Sequence, residues 1–406
     1  MIWTFDLYHL FFPICSSKAS FAILIIFAGG RQKTMKSRFR DIALAGTVVA
    51  MMAAGGCGSA DSTGRTDLII GTYGENIYLY SFDGETLEFT PRGRVKAKDA
   101  SYALEEGDRI YAVSECGDGS GAYSFIKGGD GSIERTADLR QTGNDPCFIM
   151  LTDVKGGRYM MTADYSGGSV SVFPIKDGVI QDRCTQLTFR GSGPVTHRQE
   201  SPHIHQLKVI PGTEGRILAA DLGSDVIRIL DSNPSDSACI LSHAGDIPCP
   251  PGSGPRHMEF GKVKDGLILY CIAELSGEVL VYDVSAGFKL IQRIQADEVN
   301  AGGSADIHIH PSGRWIYTSH RLENDGISTF SINEDGTLAK SGYAHTGKHP
   351  RNFMITPDGR FLLVACRDDK VIQVLRIGDD GALIPTEAKL QLDSDRPSSI
   401  TGASKQ

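Results

Sequence analysis

The chain from Asp67 onward repeats one pattern, in which a strand-like run, a polar turn and a second strand-like run follow one another. Within each run, β-branched and aromatic residues alternate with small or polar residues, as they do in twisted strands packed face to face. The copies recur about every 45–55 residues, which is the spacing of four-stranded propeller blades. The seven copies are Asp67–Phe82, Arg109–Phe125, Tyr159–Ile175, Ile217–Leu230, Leu267–Val284, Trp315–Ile332 and Phe361–Ile377. We therefore predict an all-β fold, a seven-bladed β-propeller, with almost no helix.

A further strand-like run precedes every copy except the first. These leading runs are Asp99–Leu104, Pro146–Leu151, Pro202–Val209, Pro255–Phe260, Ala305–Ile309 and Pro350–Ile355. One more run, Arg396–Thr401, follows the last copy and has no copy of its own. Because ring closure leaves no long free sheet edge, we expect this C-terminal strand to complete the blade that begins near Asp67. The stretches Gly191–Pro202 and Asp231–Gly254 are expected to be long loops.

Residues 35–57 resemble a bacterial lipoprotein signal peptide. The stretch Ile42–Ala54 is apolar but too short to cross a bilayer, and small residues then lead to Cys57. The basic region before this apolar run contains Lys36, Arg38 and Arg40. In a lipoprotein the cysteine becomes the acylated first residue of the mature chain. We therefore predict lipidation of Cys57 and a lipid-anchored location in the cell envelope, either periplasmic or at the outer membrane.

The signal peptide sets the expected domain boundaries. If the true start is Met35, the residues before it are an upstream misread of the start codon. The expected segments are an extension over residues 1–34, the signal peptide over 35–57, a polar tether over 58–66 and the propeller over 67–406.

The composition is that of a soluble globular protein with a large core, since 41% of the residues are hydrophobic and 22% are charged. The formal net charge of −8 argues against a nucleic-acid partner, because phosphate binding needs a basic face. Seven of the nine cysteines follow Cys57, and none of them forms a Cys-x-x-Cys pair, which argues against a zinc site. We expect a monomer that uses neither a metal nor a cofactor and meets the membrane only through its lipid anchor.

Antiparallel geometry brings two sets of polar residues to one mouth of the predicted ring. The leading strand of each blade starts at this mouth, and the next strand ends there, so residues at both positions share it. The starts of leading strands contribute His203, His205, Arg256, His257, Asp306, His308, His349 and Arg351. The ends of the second strands contribute Asp164, Asp221, Glu274, Arg321 and Arg367.

Several of these residues also have a purely structural interpretation. Asp164 and Asp221 precede glycine-containing turns and are expected to cap turn amides. His257 and His308 lie inside strands and would be core histidines bonded to the backbone, and Arg367 would pair with a neighbouring aspartate at the surface. Arg256, Glu274 and Arg321 are different, because buried charges need partners and these three are expected to lie close together on neighbouring blades. Such a set at a channel mouth also makes an anion site.

Four stretches resemble a known family. They are Gly254–Phe260 with its Gly-Pro-Arg-His strand, Ala273–Tyr282 with its Ala-Glu-Leu turn, Ala305–Arg321 with Ala-Asp-Ile-His-Ile-His-Pro-Ser-Gly-Arg, and Pro350–Ile372 with Pro-Arg-Asn-Phe. Together they resemble the bacterial 6-phosphogluconolactonases of the seven-bladed propeller lactonase family. The resemblance covers most of Asp67–Ile400.

This resemblance implies hydrolysis of a sugar lactone in carbohydrate metabolism. A fungal relative with the same fold, a muconate cycloisomerase, is proposed to use a His, an Arg, a Glu and a second Arg. By motif position these catalytic candidates are His205, Arg256, Glu274 and Arg321. The residues expected to bind substrate are His203, His257, Asp306, His308 and Arg351. Because the sugar-phosphate enzymes act in the cytoplasm, the lipoprotein pattern leaves open whether the lactone is phosphorylated.

Lactone hydrolysis needs an activated water and a stabilised oxyanion. His205 or Glu274 would take the proton of the water, and Arg256 and Arg321 would polarise the carbonyl group. No zinc-protease motif and no nucleophile elbow is present, so the sequence suggests neither a zinc hydrolase nor a serine esterase. Two alternatives stay open: a non-catalytic envelope propeller that binds a glycan or protein, and a muconate-type lactonising cycloisomerase. A close cluster in a confined pocket would favour catalysis, whereas a flat mouth would favour binding.

Overall fold

The computed structural model describes residues 64–154, 156–232, 240–264 and 266–404. The predicted extension, signal peptide and lipidation site Cys57 lie outside these residues, as does most of the tether. The first strand begins at Arg65, inside the range expected for the tether. No helix in the described part of the chain is long and apolar enough to cross a membrane.

Strands dominate the described residues. In chain order they are β1 Arg65–Tyr73, β2 Asn76–Asp83, β3 Phe89–Lys96, β4 Ala103–Glu106, β5 Arg109–Ser114, β6 Gly121–Lys127, β7 Ile133–Arg135, β8 Arg140–Gln141, β9 Pro146–Val154, β10 Gly157–Asp164, β11 Ser169–Lys176, β12 Val179–Ile180, β13 Thr185–Thr188, β14 Ile204–Val209, β15 Ile217–Asp221, β16 Val226–Ser232, β17 Leu241–Pro248, β18 Pro255–Val263, β19 Gly266–Ala273, β20 Glu278–Asp283, β21 Lys289–Gln295, β22 Ser304–Ile309, β23 Trp315–His320, β24 Gly326–Ile332, β25 Leu338–His345, β26 Pro350–Ile355, β27 Phe361–Cys366, β28 Val371–Ile377, β29 Leu383–Gln391 and β30 Arg396–Gly402. The described helical turns are two short 3-10 segments, Gly117–Gly119 and Leu222–Ser224.

These strands form seven antiparallel sheets, the blades, which we number in chain order. Their strand orders are β30-β1-β2-β3 in blade 1, β4-β5-β6-β7 with β8 on β6 in blade 2, β9-β10-β11-β12 with β13 on β11 in blade 3, β14 to β17 in blade 4, β18 to β21 in blade 5, β22 to β25 in blade 6 and β26 to β29 in blade 7. The predicted seven-bladed propeller is confirmed. The C-terminal strand β30 pairs with β1, with Ile70 opposite Ile400, and so closes the ring as expected.

The sequence located the inner strands of the blades better than the outer ones. The predicted copies fall on the second and third strands of each blade, and the predicted leading runs fall on the innermost strands. The interpretation of Asp231–Gly254 as simply a loop was wrong, because it contains β17, which pairs with β16. Most residues of β17 are exposed or half-buried, so this outer strand lacks the alternation of apolar and polar residues that indicates an inner strand.

Tyrosines fasten neighbouring blades to one another. Three buried tyrosines on second strands each donate a hydrogen bond to a glycine carbonyl in the next blade, in the turn between its third and fourth strands. The pairs are Tyr111 to Gly178 (3.1 Å), Tyr270 to Gly336 (2.9 Å) and Tyr317 to Gly381 (2.9 Å). All three glycines have positive φ, which glycine adopts without strain. These bonds, with the apolar layers between blades, give the inner strands a rigid frame.

Candidate active site

An extra residue near the start of the innermost strand shapes the mouth of the channel. In blades 1, 3, 4, 5 and 7 the pairing with the second strand skips one residue of the inner strand, which forms a β-bulge. The skipped residues are Ser398, Cys147, His205, Arg256 and Arg351. In blade 6, Ala305 and Asp306 together stand opposite Ser319. A bulge re-aims its side chain, so the same backbone feature places a serine, a cysteine, a histidine or an arginine at the mouth in five of the blades.

A second position recurs from blade to blade, namely the residue that directly follows the second strand. In six blades the backbone N–H of this residue donates a hydrogen bond of 2.8–3.2 Å to a backbone carbonyl in the segment that leads into the inner strand. The residues so held are Glu115, Tyr165, Leu222, Glu274, Arg321 and Arg367. The bulge residue and this second residue are therefore the two variable positions that each blade presents to the mouth.

Glu274 binds three guanidinium groups from separate parts of the chain. Its Oε2 lies 2.7 Å from Arg256 Nε and 3.2 Å from Arg321 Nη2. Its Oε1 accepts a hydrogen bond of 2.6 Å from Arg198 Nη2. The Arg256 contact is an ion pair whose N–H is not aligned for a hydrogen bond. The predicted proximity of Arg256, Glu274 and Arg321 is thus present in the structure.

Backbone carbonyls hold two of these arginines in place. Arg256 Nη1 donates to the carbonyl of Ala305, and Arg321 Nε donates to the carbonyl of Gly303 at 2.7 Å. Both side chains are buried, with Arg256 1% and Arg321 6% exposed. Such fixed donors need little reorganisation when a negative charge develops beside them.

The charges of the cluster decide the role of Glu274. Burial raises the pKa of Glu274, but Arg321, Arg256 and Arg198 outweigh it and lower the pKa to about 2. Burial in turn lowers the pKa of Arg321 to about 9, although Glu274 opposes that shift. A carboxylate with this pKa, bonded by three cations, is a poor acceptor for the proton of a water. Because guanidinium groups occupy both oxygens of Glu274, the geometry favours His205 over Glu274 as the base.

His205 lies on the neighbouring blade as a buried, neutral imidazole. It is 4% exposed, and burial followed by the charge of Arg256 holds its pKa well below the ordinary value. Its ring lies edge-to-face against the ring of Tyr165, with the centroids 5.7 Å apart, and against that of His257, with the centroids 5.1 Å apart. The Tyr165 ring in turn stacks on the His203 ring at a centroid distance of 4.4 Å. His203 thus packs beside the candidate base, and its Nδ1 lies 3.0 Å from the carbonyl of Tyr165.

Arg351 adds a further cation at the same mouth. Its Nη2 lies 3.8 Å from Glu115 Oε2, and its guanidinium lies over the ring of Tyr73 at 5.3 Å. Tyr73 donates a hydrogen bond of 2.8 Å to Glu115, whose pKa is raised by burial. Burial alone would lower the pKa of Arg351, but Tyr73 and Glu115 raise it. Among the described residues the guanidinium of Arg351 donates no hydrogen bond, so its donors are available to a ligand.

The remaining substrate-binding candidates form a buried chain of ionisable groups. His257 Nδ1 lies 2.6 Å from Asp306 Oδ1, and His308 Nε2 lies 3.0 Å from Asp306 Oδ2. Burial opposes the charge of Asp306, but His308 and His257 hold its pKa well below the ordinary value. Burial lowers the pKa of His257 to about 4, whereas Asp306 overcomes the burial of His308 and raises its pKa to about 10. Neither histidine is bonded only to backbone, so the core-histidine interpretation does not describe them.

Three polar residues at strand ends have structural partners: Arg367 forms the predicted ion pair, whereas Asp164 and Asp221 do not cap the amides of the turns that follow them as expected. Asp164 accepts hydrogen bonds from three side-chain hydroxyls and one backbone N–H. Asp221 binds the backbone N–H of His203 at 2.9 Å and the guanidinium of Arg228 at 2.7 Å. Arg367 pairs with Asp368 at 2.7 Å.

Sequence reasoning missed several residues of this mouth. Cys147 follows Pro146 just as Arg256 follows Pro255, so its bulge position was readable from the repeat. Arg198 had no such signal, because it lies in the irregular stretch between β13 and β14 rather than in the repeat. It reaches Glu274 only because the ring brings blades 3 to 5 together. Its guanidinium also lies 3.3 Å from the hydroxyl of Tyr165.

One buried carboxylate fixes the loop that carries Arg198. Asp225 accepts hydrogen bonds from the Gln199 side chain at 2.8 Å and from the backbone of Gly252 and Gly254 at 2.6 and 2.8 Å. Gly254 accepts the backbone N–H of Glu274 at 2.8 Å. Asp225 therefore joins the Arg198 loop to the segment that positions Glu274.

Comparison with known proteins agrees with the geometry. The family model described as "Lactonase, 7-bladed beta-propeller" matches residues 67–399. The chain belongs to this family. A 6-phosphogluconolactonase of Bacillus subtilis is 32% identical over 314 residues, which cover 73% of this chain and 86% of the relative. A 6-phosphogluconolactonase of Formosa agariphila is 38% identical over 245 residues, covering 58% of this chain and 67% of the relative.

Two solved structures of the lactonase fold are also similar. A candidate 6-phosphogluconolactonase of Bacteroides fragilis has a TM-score of 0.78 and 36% identity, covering 85% of this chain and all of that one. The periplasmic gluconolactonase PpgL of Pseudomonas aeruginosa has a TM-score of 0.74 and 26% identity, covering 84% of this chain and 99% of that one.

The Glu274 cluster predicts a large stability loss in Glu274→Gln. Removing the carboxylate leaves buried guanidinium groups unpaired, which costs about 3–5 kcal/mol of unfolding free energy. Because the folded pKa of about 2 lies below the ordinary glutamate value of 4.5, this contribution is complete above pH 4.5 and disappears as the pH falls toward 2. Urea unfolding of the wild type and of Glu274→Gln across this pH range measures the contribution of Glu274 to the unfolding free energy.

The matched control is Glu278→Gln in the same blade, whose partner Arg293 is half exposed. That surface pair is worth about 0–1 kcal/mol. The assigned charge state would be contradicted if Glu274→Gln lost no more unfolding free energy than the control. It would also be contradicted if the loss already declined between pH 8 and 5.

Proposed function

We propose that this protein hydrolyses a sugar lactone, in the manner of a 6-phosphogluconolactonase. One observation carries the proposal: Glu274 pairs with two fixed guanidinium groups, Arg256 of blade 5 and Arg321 of blade 6, and the inner strand of blade 4 carries a buried neutral imidazole, His205. The family and the names of the similar proteins support the same reaction. The four candidate catalytic side chains are 1–6% exposed, which suits a confined site better than a flat binding surface.

The proposed reaction begins with His205. A water bonded to the imidazole attacks the lactone carbonyl carbon, and the imidazole accepts the proton of the water. Arg256 and Arg321 stabilise the oxyanion of the tetrahedral intermediate, while Glu274 keeps both guanidinium groups in place. The ring C–O bond then breaks, and the leaving oxygen takes the proton back from His205. One lactone and one water give one hydroxy acid, with no metal or cofactor required.

Arg351 supplies a site for an anionic group on the lactone. Among the described residues, the guanidinium groups of Arg198, Arg256, Arg321 and Arg351 share two carboxylates, Glu274 and Glu115, and burial raises the pKa of Glu115. Phosphate and carboxylate groups both match guanidinium donors. The expected ligands are therefore phosphorylated lactones or lactones that carry a carboxylate. The cycloisomerase alternative would use the same groups, and the assay below distinguishes it from hydrolysis.

The proposed location is the cell envelope, with the mature chain anchored through an acylated Cys57 and acting as a monomer. The lipoprotein-like pattern of residues 35–57 supports this location, as does the similarity to a periplasmic gluconolactonase. The proposed substrate would then be a lactone present outside the cytoplasm.

The anchor is tested by the variant Cys57→Ser. Without the thiol that carries the lipid, we expect the protein to move from the membrane pellet to the soluble fraction of lysed cells. The control variant Cys15→Ser lies in the proposed extension and should stay in the pellet. Equal partitioning of Cys57→Ser and wild type would contradict the anchor.

The activity is tested with purified protein on 6-phosphoglucono-δ-lactone, glucono-δ-lactone and muconolactone, with spontaneous ring opening subtracted. Arg256→Lys keeps the charge but removes the planar set of donors, so we expect kcat/KM to fall by about 10²–10³-fold. The control Arg228→Lys also changes a buried, ion-paired arginine, on the third strand of blade 4, and should stay within about threefold of wild type.

Wild-type rates equal to the blank on every lactone would overturn the hydrolase proposal. Conversion confined to muconolactone, with the unsaturated diacid as product, would favour the cycloisomerase. Equal losses of kcat/KM in Arg256→Lys and Arg228→Lys would show that the reaction does not take place at this mouth.

Arg351→Gln tests the anion site. A hydrogen bond to a charged group contributes about 1.5–3 kcal/mol, so KM for the phosphorylated lactone should rise roughly 10–150-fold. The KM of Arg351→Gln for glucono-δ-lactone should stay within about twofold of the wild-type KM. The control is Arg367→Gln, at the second mouth position of the same blade, where the guanidinium is already paired with Asp368. Equal effects of Arg351→Gln on the two lactones would contradict this assignment.

A further inference from the structure

Two buried ring nitrogens at the centre of the site have no partner among the described residues. They are Nδ1 of His205, on β14, and Nε2 of His257, on the adjacent inner strand β18. The two rings meet edge-to-face, with centroids 5.1 Å apart and an interplanar angle of 68°. Burying a polar atom without a partner destabilises the folded state, so two such atoms on neighbouring rings need an explanation.

The other nitrogen of His257 fixes which proton its ring carries. Nδ1 lies 2.6 Å from Asp306 Oδ1, and Asp306 is anionic because its pKa is held far below the ordinary value. A carboxylate can only accept, so Nδ1 of His257 must carry hydrogen. His257 is neutral above its pKa of about 4, which leaves Nε2 with a lone pair and no hydrogen. The unpartnered nitrogen of His257 is therefore an acceptor.

Asp306 is held rigidly for this task. Its carboxylate also accepts hydrogen bonds from the backbone of Ile307 at 3.0 Å and Phe353 at 3.2 Å, and from the Asn352 side chain. His308, whose pKa is raised to about 10, lies 3.0 Å from its other oxygen. Every one of these groups stabilises the anion, so Asp306 keeps its orientation toward His257.

We propose that Asp306 and His257 are positioning residues for His205, through a relay in which His205 Nδ1–H donates to His257 Nε2 after a small rotation of the two neighbouring rings. The relay partners both orphaned nitrogens at once. It also selects one tautomer of His205, with hydrogen on Nδ1 and the lone pair on Nε2. That lone pair is the one that accepts a proton from the attacking water. The proposal rests on the proposed hydrolysis, and it assigns to Asp306 and His257 a role other than substrate binding.

The relay also offsets the weak basicity of His205. Burial and then the nearby charge of Arg256 hold the pKa of this imidazole well below its ordinary value, and Arg351 and Arg321 act in the same direction. An imidazolium formed there during the reaction needs a compensating anion. Asp306 supplies one through His257, in the way that a buried aspartate stabilises the imidazolium of a hydrolase triad.

The first arm of the test is Asp306→Asn. An asparagine can donate to Nδ1 of His257 and would reverse its tautomer, so Nε2 would carry hydrogen and no longer accept from His205. We expect kcat to fall by roughly 10²–10⁴-fold while KM stays within about threefold. The matched control is Asp164→Asn, which alters another fully buried, multiply bonded carboxylate whose hydrogen-bond partners are Gly143, Thr162, Ser169 and Ser171, none of them a candidate site residue. It should lower the stability but leave kcat within about threefold of wild type.

The second arm is independent of hydrolysis. Nitrogen-15 NMR of histidine-labelled wild type reports the tautomer of each ring, with signals assigned through His205→Gln and His257→Gln. We expect hydrogen on Nδ1 of both rings in wild type, and a reversed tautomer of His257 in Asp306→Asn. Hydrogen on Nε2 of His205 in the wild type overturns the relay, and so does an Asp306→Asn variant with both tautomers unchanged.

The two arms separate the relay from the proposed function. If no lactone is hydrolysed but the tautomers are as expected, the relay holds and the hydrolase proposal fails. If lactones are hydrolysed while Asp306→Asn lowers kcat no more than Asp164→Asn does, the relay fails and the hydrolase proposal holds.

Discussion

The site depends on one buried carboxylate that binds three guanidinium groups. Desolvating a charge costs several kcal/mol, so Arg256 and Arg321 can be buried only because Glu274 compensates them, and the reverse also holds. The groups come from the inner strand of blade 5, the end of the second strand of blade 6 and the loop before blade 4. The cluster therefore forms only when these blades stand in their places in the ring. In this account Glu274 is the anion that organises the cations and not the group that moves a proton.

The bulge on the innermost strand separates the requirements of the fold from those of the site. The strand before and after the bulge pairs normally in each blade, whereas the bulged residue is free of the strand pattern. That residue is a histidine in blade 4 and an arginine in blades 5 and 7, yet the backbone path is the same. A single residue of this kind can be changed without altering the register of the sheet, which makes the bulge a favourable place for chemistry.

The sequence predicted the parts of the structure that repeat and missed those that occur once. The second strands of the blades were visible because most of their residues are apolar and buried, and the unmatched run at Arg396 indicated ring closure. The outer strand β17 was missed because its exposed face carries polar residues at many positions. Arg256, Glu274 and Arg321 were placed together by counting positions within blades. Arg198 could not be placed in this way, because its contact with Glu274 depends on the path of an irregular loop.

The central claim, that water bonded to an imidazole attacks the lactone while Glu274 remains a counter-ion, is tested most directly by a single-turnover reaction in ¹⁸O-labelled water. With enzyme in excess over lactone, mass spectrometry of the hydroxy acid shows where the new oxygen came from. The account predicts one ¹⁸O in the product carboxylate after the first turnover, formed faster than in the enzyme-free blank. A first-turnover product without ¹⁸O would mean that an enzyme carboxylate attacked the lactone, and that result would contradict the role assigned to Glu274.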